Sequence, residues 1–144
     1  MKRASRAGRA PAVTRKPEPA ERQEGLEFRR GDILWIDCDP SLGAEPRKTR
    51  TCVVVSNDIA NRFGQTVTVI PTQSFTSERA ERAYMADLRR PRSTLAADRV
   101  ANASMVMTYD RARVVGRAGR VTAAGMPPLE RALALHLGLP TPER

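Results

Sequence analysis

One arginine, Arg50, stands where a polar loop meets the start of an apolar strand. The loop before it mixes glycine, proline, a carboxylate and cations, and the segment 51–55 is almost entirely β-branched. Such a segment favours a central strand, so we expect the arginine to lie at the rim of a rigid sheet. A guanidinium stays charged and offers a planar pair of donors to a phosphate group. The pattern indicates recognition of an anion or catalysis on one, although a structural ion pair with Glu45 or Asp39 is the alternative.

A second group of polar side chains follows the next predicted strand. Thr72, Gln73 and Ser74 come directly after Pro71. A glutamine can hydrogen-bond a phosphate but does not readily exchange a proton, whereas the neighbouring hydroxyl groups offer a different chemistry. The alternative interpretation is a strand end with solvated polar residues.

The charge of the chain favours a polyanionic partner. The net charge of this 144-residue chain is +9, of which +3 falls on residues 1–27 and +6 on the remainder. A basic folded domain attracts polyanions, and nucleic acid is the commonest of them. Charge that serves only solubility is the alternative.

Several other classes of protein and site are disfavoured. Two cysteines and one histidine cannot supply a convincing zinc site, and we expect Cys38 and Cys52 to be buried free thiols. His136, among leucines of the last predicted helix, is interpreted as structural or exposed. The chain has no apolar run of roughly 18 residues that could span a membrane. It also lacks an apolar signal core, so we predict a cytoplasmic protein. Because no metal-ligand or phosphate-loop motif is found, we also predict that the protein has no cofactor and no metal.

Hydrophobic periodicity predicts one small, mainly β domain over residues 28–140. Residues 1–27, rich in Arg, Ala and Pro, are predicted to be a disordered basic tail, and 141–144 a short tail. The predicted strands span 32–37, 51–55, 66–70 (closed by Pro71), 83–88, 100–108 and 113–121. A polar loop is expected over 72–81, a helical turn over 94–98, and a turn or short helix over 57–63 capped by Asn57. Thr122 is predicted to open a final helix with Leu129, Ala132, Leu133, Leu135 and Leu137 on its packing face. Many short strands with one terminal helix suggest a small, partly open antiparallel barrel.

The order of short motifs along residues 28–140 resembles the MazF, PemK and Kid family of toxins. The resemblance is carried by Arg30-Gly31-Asp32, Asp39-Pro40, Gly43-Ala44-Glu45, Arg50, Ser56-Asn57-Asp58, Asn61-Arg62, the strand 67–71 and the leucine-rich ending 133–139. It implies an SH3-like barrel of the PemK and CcdB type with a C-terminal helix. It also implies a type II toxin that cleaves single-stranded RNA sequence-selectively and without a metal. The 2′-hydroxyl of the RNA attacks the adjacent phosphate, and cleavage leaves a cyclic phosphate and a 5′-hydroxyl.

The resemblance assigns roles to individual residues. The catalytic arginine of the family falls on Arg50, although the proline that often follows it is replaced by Thr51. The catalytic hydroxyl of the family falls, counted without a gap, on Gln73, so either Thr72 or Ser74 takes that role through a one-residue shift or Arg50 carries more of the catalysis. The family often has an acid or amide pair and an arginine in the next strand. The matching places here hold Ser104, Met105 and Met107.

The loop before Arg50 supplies most of the predicted RNA contacts. Arg47 and Lys48 can meet phosphates, and Glu45 can accept from a base edge or assist a proton transfer. The loop has no aromatic residue, so stacking must come from arginine planes or from Leu42. The full set of predicted RNA-binding residues is Ser41, Leu42, Gly43, Glu45, Arg47, Lys48, Asn61 and Ser74.

The resemblance also implies partners and leaves two other functions open. Similar toxins form homodimers with an RNA groove between subunits, and a small antitoxin with a disordered acidic tail covers that groove. The first alternative function is a non-catalytic RNA-binding module. The second is a CcdB-like toxin that binds a topoisomerase, which the scarcity of aromatic residues disfavours.

Overall fold

The chain forms a mostly antiparallel β-sheet with one long helix near its C-terminal end. A computed structural model describes residue 12 and residues 15–141. Within this part of the chain the strands are β1 (Asp32–Asp37), β2 (Thr49–Val54), β3 (Thr66–Ser74), β4 (Met85–Asp87), β5 (Arg99–Asn102), β6 (Met107–Asp110) and β7 (Val114–Arg120). The α-helices are α1 (Asp58–Phe63), α2 (Ser77–Ala80) and α3 (Met126–Leu137). Short 3₁₀ turns span Pro19–Glu21, Ala103–Met105 and Arg111–Arg113.

The strand order confirms the predicted mainly antiparallel sheet but does not confirm the predicted partly open barrel. Hydrogen-bonded neighbours follow the path β4-β5-β3-β2-β1-β7, and β6 also pairs with β3. The two ends of this path approach each other at one isolated bridge between Ser93 and Val121. Beside it, the Thr94 amide donates to the Arg120 carbonyl at 3.0 Å. No ladder of strand pairs joins β4 to β7 among the described residues.

Alternating side chains of β1 enter two separate hydrophobic clusters, as its sequence pattern predicts. Ile33 packs in one cluster with Val53 and Ile70, and Trp35 packs against its edge. Leu34 and Ile36 pack in the other. Because successive side chains of a strand point to opposite faces, both faces of the sheet bury apolar residues here. This burial makes β1 and β2 a fixed frame for the loop between them.

Strand β3 is longer than its sequence indicates, and this is a correction of functional importance. The predicted strand ends at Pro71, but β3 continues to Ser74. Its first part pairs with β2 as far as Pro71, and its last part pairs with β5 from Thr72 onward. A proline lacks a ladder donor and is tolerated where regular pairing is interrupted. Pro71 therefore lies where the pairing of β3 with β2 ends and the pairing of β3 with β5 begins.

The segment predicted as a single strand over 100–108 is two strands joined by a 3₁₀ turn. The Asn102 side chain accepts a hydrogen bond from the Ser104 amide at 3.1 Å and caps this turn. Side chains of this type compete with sheet hydrogen bonds by offering the backbone a local partner. As a result β5 pairs with the end of β3, whereas β6 pairs with its beginning.

Smaller corrections concern the connections. Residues 72–81 are not a loop throughout, because β3 reaches Ser74 and Thr76 caps the short helix α2. The predicted strand 83–88 is confirmed only as β4, and the helical turn predicted for 94–98 does not form. Asn57 caps α1 as predicted, since its side chain accepts from the Ala60 amide at 2.8 Å.

The terminal helix begins later than predicted and buries fewer leucines. Helix α3 starts at Met126, not at Thr122, and Pro127 and Pro128 lie in its first turn, where their missing amide donors have no helical partner. Leu129 and Ala132 are buried in the first cluster. Leu135 and Leu137 are exposed, contrary to the predicted packing face.

Part of the predicted N-terminal tail contacts the sheet. Residues 1–11, 13–14 and 142–144 lie outside the described residues. The Gln23 amide donates to the Val115 carbonyl at 2.8 Å, and Leu26 is buried in the second cluster beside Phe28. A single buried leucine in a polar segment produces no periodic signal, so this contact could not be predicted from the sequence pattern. The domain boundary at residue 28 stays a prediction. Among the described residues, no helix has the length and apolar composition needed to cross a membrane.

Candidate RNA-cleavage site

A cavity of about 270 Å³ opens where the loop before Arg50 faces the junction of β3 with β5. Its walls bring together segments that are distant in sequence. The lining residues are Gly43, Ala44, Glu45, Pro46, Arg47, Arg50, Pro71, Thr72, Gln73, Asn102 and Met105. The loop and the end of β3, which the sequence singled out separately, therefore form one site.

Arg50 lies at the rim of this cavity with an exposed side chain. It is the second residue of β2 and pairs with Ile36 of β1, whose side chain is fully buried. Its Nε donates to the Arg47 carbonyl at 2.9 Å. The structural alternative is not observed, since Arg50 forms no salt bridge with Glu45, Asp39 or any other residue of the described chain. The Arg50 guanidinium is thus held through its Nε, and its positive charge is not neutralised by a carboxylate of the described chain.

Thr72 is completely buried in the cavity wall. Its hydroxyl oxygen lies 2.6 Å from that of Thr51, which is also buried. The same Thr72 oxygen accepts a hydrogen bond from Nε of Arg99 at 3.0 Å. Because buried hydroxyls need partners, the Thr51–Thr72 pair satisfies both and fixes the register between β2 and β3 at the site.

Arg99, the first residue of β5, is held by three hydrogen bonds. Besides the bond to the Thr72 hydroxyl, one terminal nitrogen donates to the Thr72 carbonyl at 3.0 Å and the other to the Ser74 hydroxyl at 3.3 Å. A guanidinium has five N–H donors. One hydrogen on each terminal nitrogen therefore remains for a ligand, in a side chain whose orientation is already fixed.

The electrostatic surroundings of Arg99 favour a bound anion. Burial, and then the positive charges of Arg50 and Arg79, lower the pKa of the Arg99 guanidinium. Arg99 forms no salt bridge with a carboxylate of the described chain. A half-buried cation that faces other cations gains most when an anion is bound between them.

Gln73 and Asn102 form a second, less buried pair. The Asn102 side-chain amide donates to the Gln73 Oε1 at 3.3 Å, and the Asn102 oxygen accepts from Ser104. The Gln73 carbonyl oxygen is therefore occupied, and its amide hydrogens remain as donors at the cavity. Ser74 lies at the end of β3, where it contacts Arg99 and does not line the cavity.

The loop wall of the cavity is more exposed. Glu45 carries the only carboxylate among the described lining residues, and its Oε1 accepts from the Leu42 amide at 2.9 Å. Arg47 donates to the Gly43 carbonyl at 3.3 Å. Ser41, Leu42 and Lys48 belong to the same loop but do not line the cavity.

Asn61, predicted to bind RNA, lies apart from this site. It is buried in α1, where it donates to the Ser56 carbonyl at 2.9 Å and to Asp58 at 3.2 Å. Its role is therefore to hold the end of β2 against α1. His136 is exposed on α3, and both cysteines are free and buried, as predicted. Hydrogen bonding to Cys52 lowers the pKa of Cys38 to about 7.

Two residues of the site, Arg99 and Asn102, were missed by sequence reasoning. The positions expected to match the family motif were Ser104, Met105 and Met107, but of these only Met105 lines the cavity. One signal was available, because Arg99 precedes an apolar strand in the same way that Arg50 does. No group of three or more His, Cys, Asp or Glu side chains that could hold a metal occurs in the described ranges.

Comparisons with known proteins agree with this geometry. The profile of the family described as "PemK-like, MazF-like toxin of type II toxin-antitoxin system" matches residues 29–137. The chain is 36% identical over 117 residues to the endoribonuclease MazF9 of Mycobacterium tuberculosis, which covers 78% of this chain and 98% of that one. This chain belongs to the PemK-like, MazF-like family of toxins of type II toxin–antitoxin systems.

Solved structures share the fold. A mycobacterial endoribonuclease in complex with its cognate antitoxin matches with a TM-score of 0.64 at 23% identity, covering 80% of this chain and 99% of that one. MazF from Deinococcus radiodurans matches with a TM-score of 0.67 at 18% identity, covering 79% of this chain and 99% of that one.

Proposed function

We propose that this toxin is an endoribonuclease that cleaves single-stranded RNA at the Arg50 cavity by attack of the RNA 2′-hydroxyl on the adjacent phosphorus. The observation that carries the proposal is Arg50 at the rim of the cavity, with Arg99 hydrogen-bonded to Thr72 in the cavity wall and neither arginine paired with a carboxylate of the described chain. The relatives named endoribonucleases support the same activity.

The two arginines bind the scissile phosphate in this mechanism. In-line attack passes through a pentacoordinate phosphorus with increased negative charge on its oxygens. Fixed donors aimed at that charge lower the barrier, and the loss of one typically costs about 2.7–4 kcal/mol. Arg50 faces the cavity from its rim, while Arg99 presents its two remaining N–H groups from the sheet.

Glu45 is the residue best suited to accept the proton of the attacking hydroxyl, because it carries the only carboxylate among the described lining residues. The bond from the 2′-oxygen to phosphorus forms as the bond to the 5′-oxygen breaks. The proton of the 2′-hydroxyl passes to Glu45, and the leaving oxygen takes a proton from water; the hydroxide that remains accepts the proton from Glu45 and so restores the carboxylate. The products are a 2′,3′-cyclic phosphate and a 5′-hydroxyl.

The roles of Thr72 and Gln73 follow from their burial. Thr72 is fully buried, so we assign it to positioning Arg99 instead of contacting RNA. Gln73 donates its free amide hydrogens to a phosphate oxygen. Ser74 contributes through its contact with Arg99. With this division we propose that catalysis rests on the arginines and not on a hydroxyl group of Thr72 or Ser74.

An RNA cleavage assay tests the proposal. Long single-stranded RNA is incubated with the purified protein in the presence of EDTA, alongside the variants Arg50→Ala and Arg50→Lys. We expect discrete cuts by the wild type, a rate about 100- to 1,000-fold lower for R50A, and partial activity for R50K, which keeps the charge but not the fork.

Other outcomes identify the competing functions. Intact RNA with reduced mobility would indicate a non-catalytic RNA-binding protein, and loss of cutting in EDTA would remove the metal-free mechanism. Inhibition of DNA gyrase in a supercoiling assay, with RNA left intact, would indicate a CcdB-like toxin.

The remaining proposals concern partners and location. We infer that the toxin is a cytoplasmic homodimer bound by a small antitoxin with an acidic tail, which suits the basic chain. The solved complexes of similar toxins with antitoxins support the antitoxin partner. Exposed Leu135, Leu137 and Leu139 at the end of α3 support a protein interface. Light scattering of the toxin with and without its antitoxin tests both associations.

A further inference from the structure

A second cavity, of about 260 Å³, lies on the other side of Arg50. Its walls are largely apolar and come from Trp35 of β1, Ala118 of β7 and the segment of residues 95–97. Trp35 packs against the first hydrophobic cluster on one side, so its position is fixed by the core. The cavity therefore presents a rigid aromatic ring beside an apolar wall.

This cavity adjoins the proposed cleavage site at Arg50. Arg50 lines both cavities, and Arg99 lines the second while it hydrogen-bonds Thr72 in the wall of the first. A phosphate held by these arginines would have one neighbouring nucleotide on each side. Lys16, from the segment before the sheet, adds another cation to the second cavity.

The chemistry of the lining fits a nucleobase. Bases stack on aromatic side chains whatever their identity, because each base has a π-face. The described lining contains no carboxylate and no side-chain amide, and its two arginines are assigned to the phosphate in the proposed mechanism. We propose that the second cavity is a stacking subsite in which Trp35 binds the base of a nucleotide adjacent to the scissile phosphate.

The inference rests on the proposed ribonuclease function and specifies how its substrate is held. It predicts that the subsite increases affinity for any base, with the largest gain for purines, whose rings stack over the greatest area. Sequence selectivity must then come from the first cavity, where Glu45, Gln73 and Asn102 carry hydrogen-bonding side chains.

The fluorescence of Trp35 gives a direct test, because it is the only tryptophan of the chain. The full-length protein is titrated with a short 2′-O-methyl oligoadenylate, which has no attacking hydroxyl, and with an abasic sugar–phosphate chain of equal length. Fluorescence anisotropy of a labelled 5′ end measures the binding of each probe. We expect both probes to bind, the oligoadenylate about tenfold more tightly, and only the oligoadenylate to quench Trp35.

A matched variant separates stacking from folding effects. Ala97 is exposed and lines the cavity, so Ala97→Leu fills it without disturbing the core. We expect A97L to weaken oligoadenylate binding about tenfold and to change binding of the abasic chain by less than about twofold. Trp35→Phe should keep most of the affinity, whereas Trp35→Leu should lose it.

Three results would overturn the subsite. Equal quenching by both probes would mean that Trp35 reports phosphate binding alone. Unchanged oligoadenylate affinity in A97L would mean that no base enters the cavity. If the fluorescence of Trp35 changed with protein concentration but not with added oligonucleotide, a second copy of the chain would fill the cavity. If RNA is still cleaved in these cases, the proposed function stands, whereas failure of both probes to bind removes the function as well.

Discussion

The two walls of the cleavage cavity are built in different ways. The sheet wall includes Thr72, Gln73 and Asn102, with Arg99 bonded to Thr72, and these contacts join residues 21 to 29 positions apart in sequence. The loop wall consists of residues 43–47, and its side chains bond to backbone atoms three or four positions away. The first wall depends on strand register, and the second mainly on its local sequence.

The difference extends to burial and indicates a division of labour. Thr72 has no exposed surface and Asn102 only 8%, whereas Glu45 and Arg47 are exposed. A buried polar network has few alternative arrangements, so it orients Arg99 with little loss of entropy on binding. An exposed loop adapts to its ligand at an entropic cost. We infer that the sheet wall governs the rate of cleavage and the loop wall governs RNA affinity and selectivity.

Apart from Arg50, the largest expected effect comes from Arg99. Replacement of this residue by alanine should lower kcat/KM for RNA about 100-fold, because one preorganised donor to the phosphate is lost. Arg99→Lys should recover only part of the rate, since an ammonium group cannot bond both Thr72 atoms and a phosphate in the same plane. Cleavage kinetics on one RNA measure both variants. A near-normal rate for R99A would mean that the sheet wall is only structural.

The buried threonine pair is expected to affect stability most. Thr72→Val leaves the Thr51 hydroxyl without its buried partner and should lower the free energy of unfolding by about 1–3 kcal/mol. Thr51→Val should cost less than Thr72→Val, because the Thr72 hydroxyl keeps its hydrogen bond from Arg99, and the double variant should cost clearly less than the sum. Urea denaturation of the four proteins gives the coupling energy. Strict additivity would show that the two hydroxyl groups do not depend on each other.

Asn102 should affect catalysis only through Gln73. Because one hydrogen bond contributes about 1 kcal/mol, Asn102→Ala should lower kcat about fivefold with little change in KM. Gln73→Leu should produce a larger loss. If Asn102 is a positioning residue, adding N102A to Q73L should lower kcat no further, as single-turnover kinetics can establish. Independent losses in the double variant would assign Asn102 a contact of its own with RNA.

The smallest effect is expected on the loop wall. Arg47→Ala should leave the unfolding free energy unchanged and weaken RNA binding, with the slope of log K against log salt reduced by about 0.7. Binding of 2′-O-methyl RNA over a range of salt concentrations measures this slope. The matched control is Arg131→Ala, on helix α3 and outside both cavities. Equal slopes for the two variants would mean that Arg47 makes no phosphate contact.

The sequence predicted the local features of this molecule well. The alternating pattern of residues 32–37 predicted strand β1, and Asn57 was correctly predicted to cap a helix. The transition from a polar loop to a β-branched segment located Arg50 at the rim. Two strand predictions were wrong. The strand predicted to end at Pro71 continues to Ser74 and pairs there with β5, and the single strand predicted over 100–108 is interrupted after Asn102.

What the sequence determined by itself was most of the strands, the terminal helix, the loop and the exposed cation at its end, because these depend on patterns within about ten residues. Only the tertiary structure decided that Thr72 is buried against Thr51, that Arg99 joins Arg50, and that Trp35 lines a neighbouring cavity. The two contacts of Thr72 require β3 to continue past Pro71, where its pairing with β2 ends and its pairing with β5 begins. This arrangement is set by the register of strands distant in sequence, and a local pattern carries no information about it.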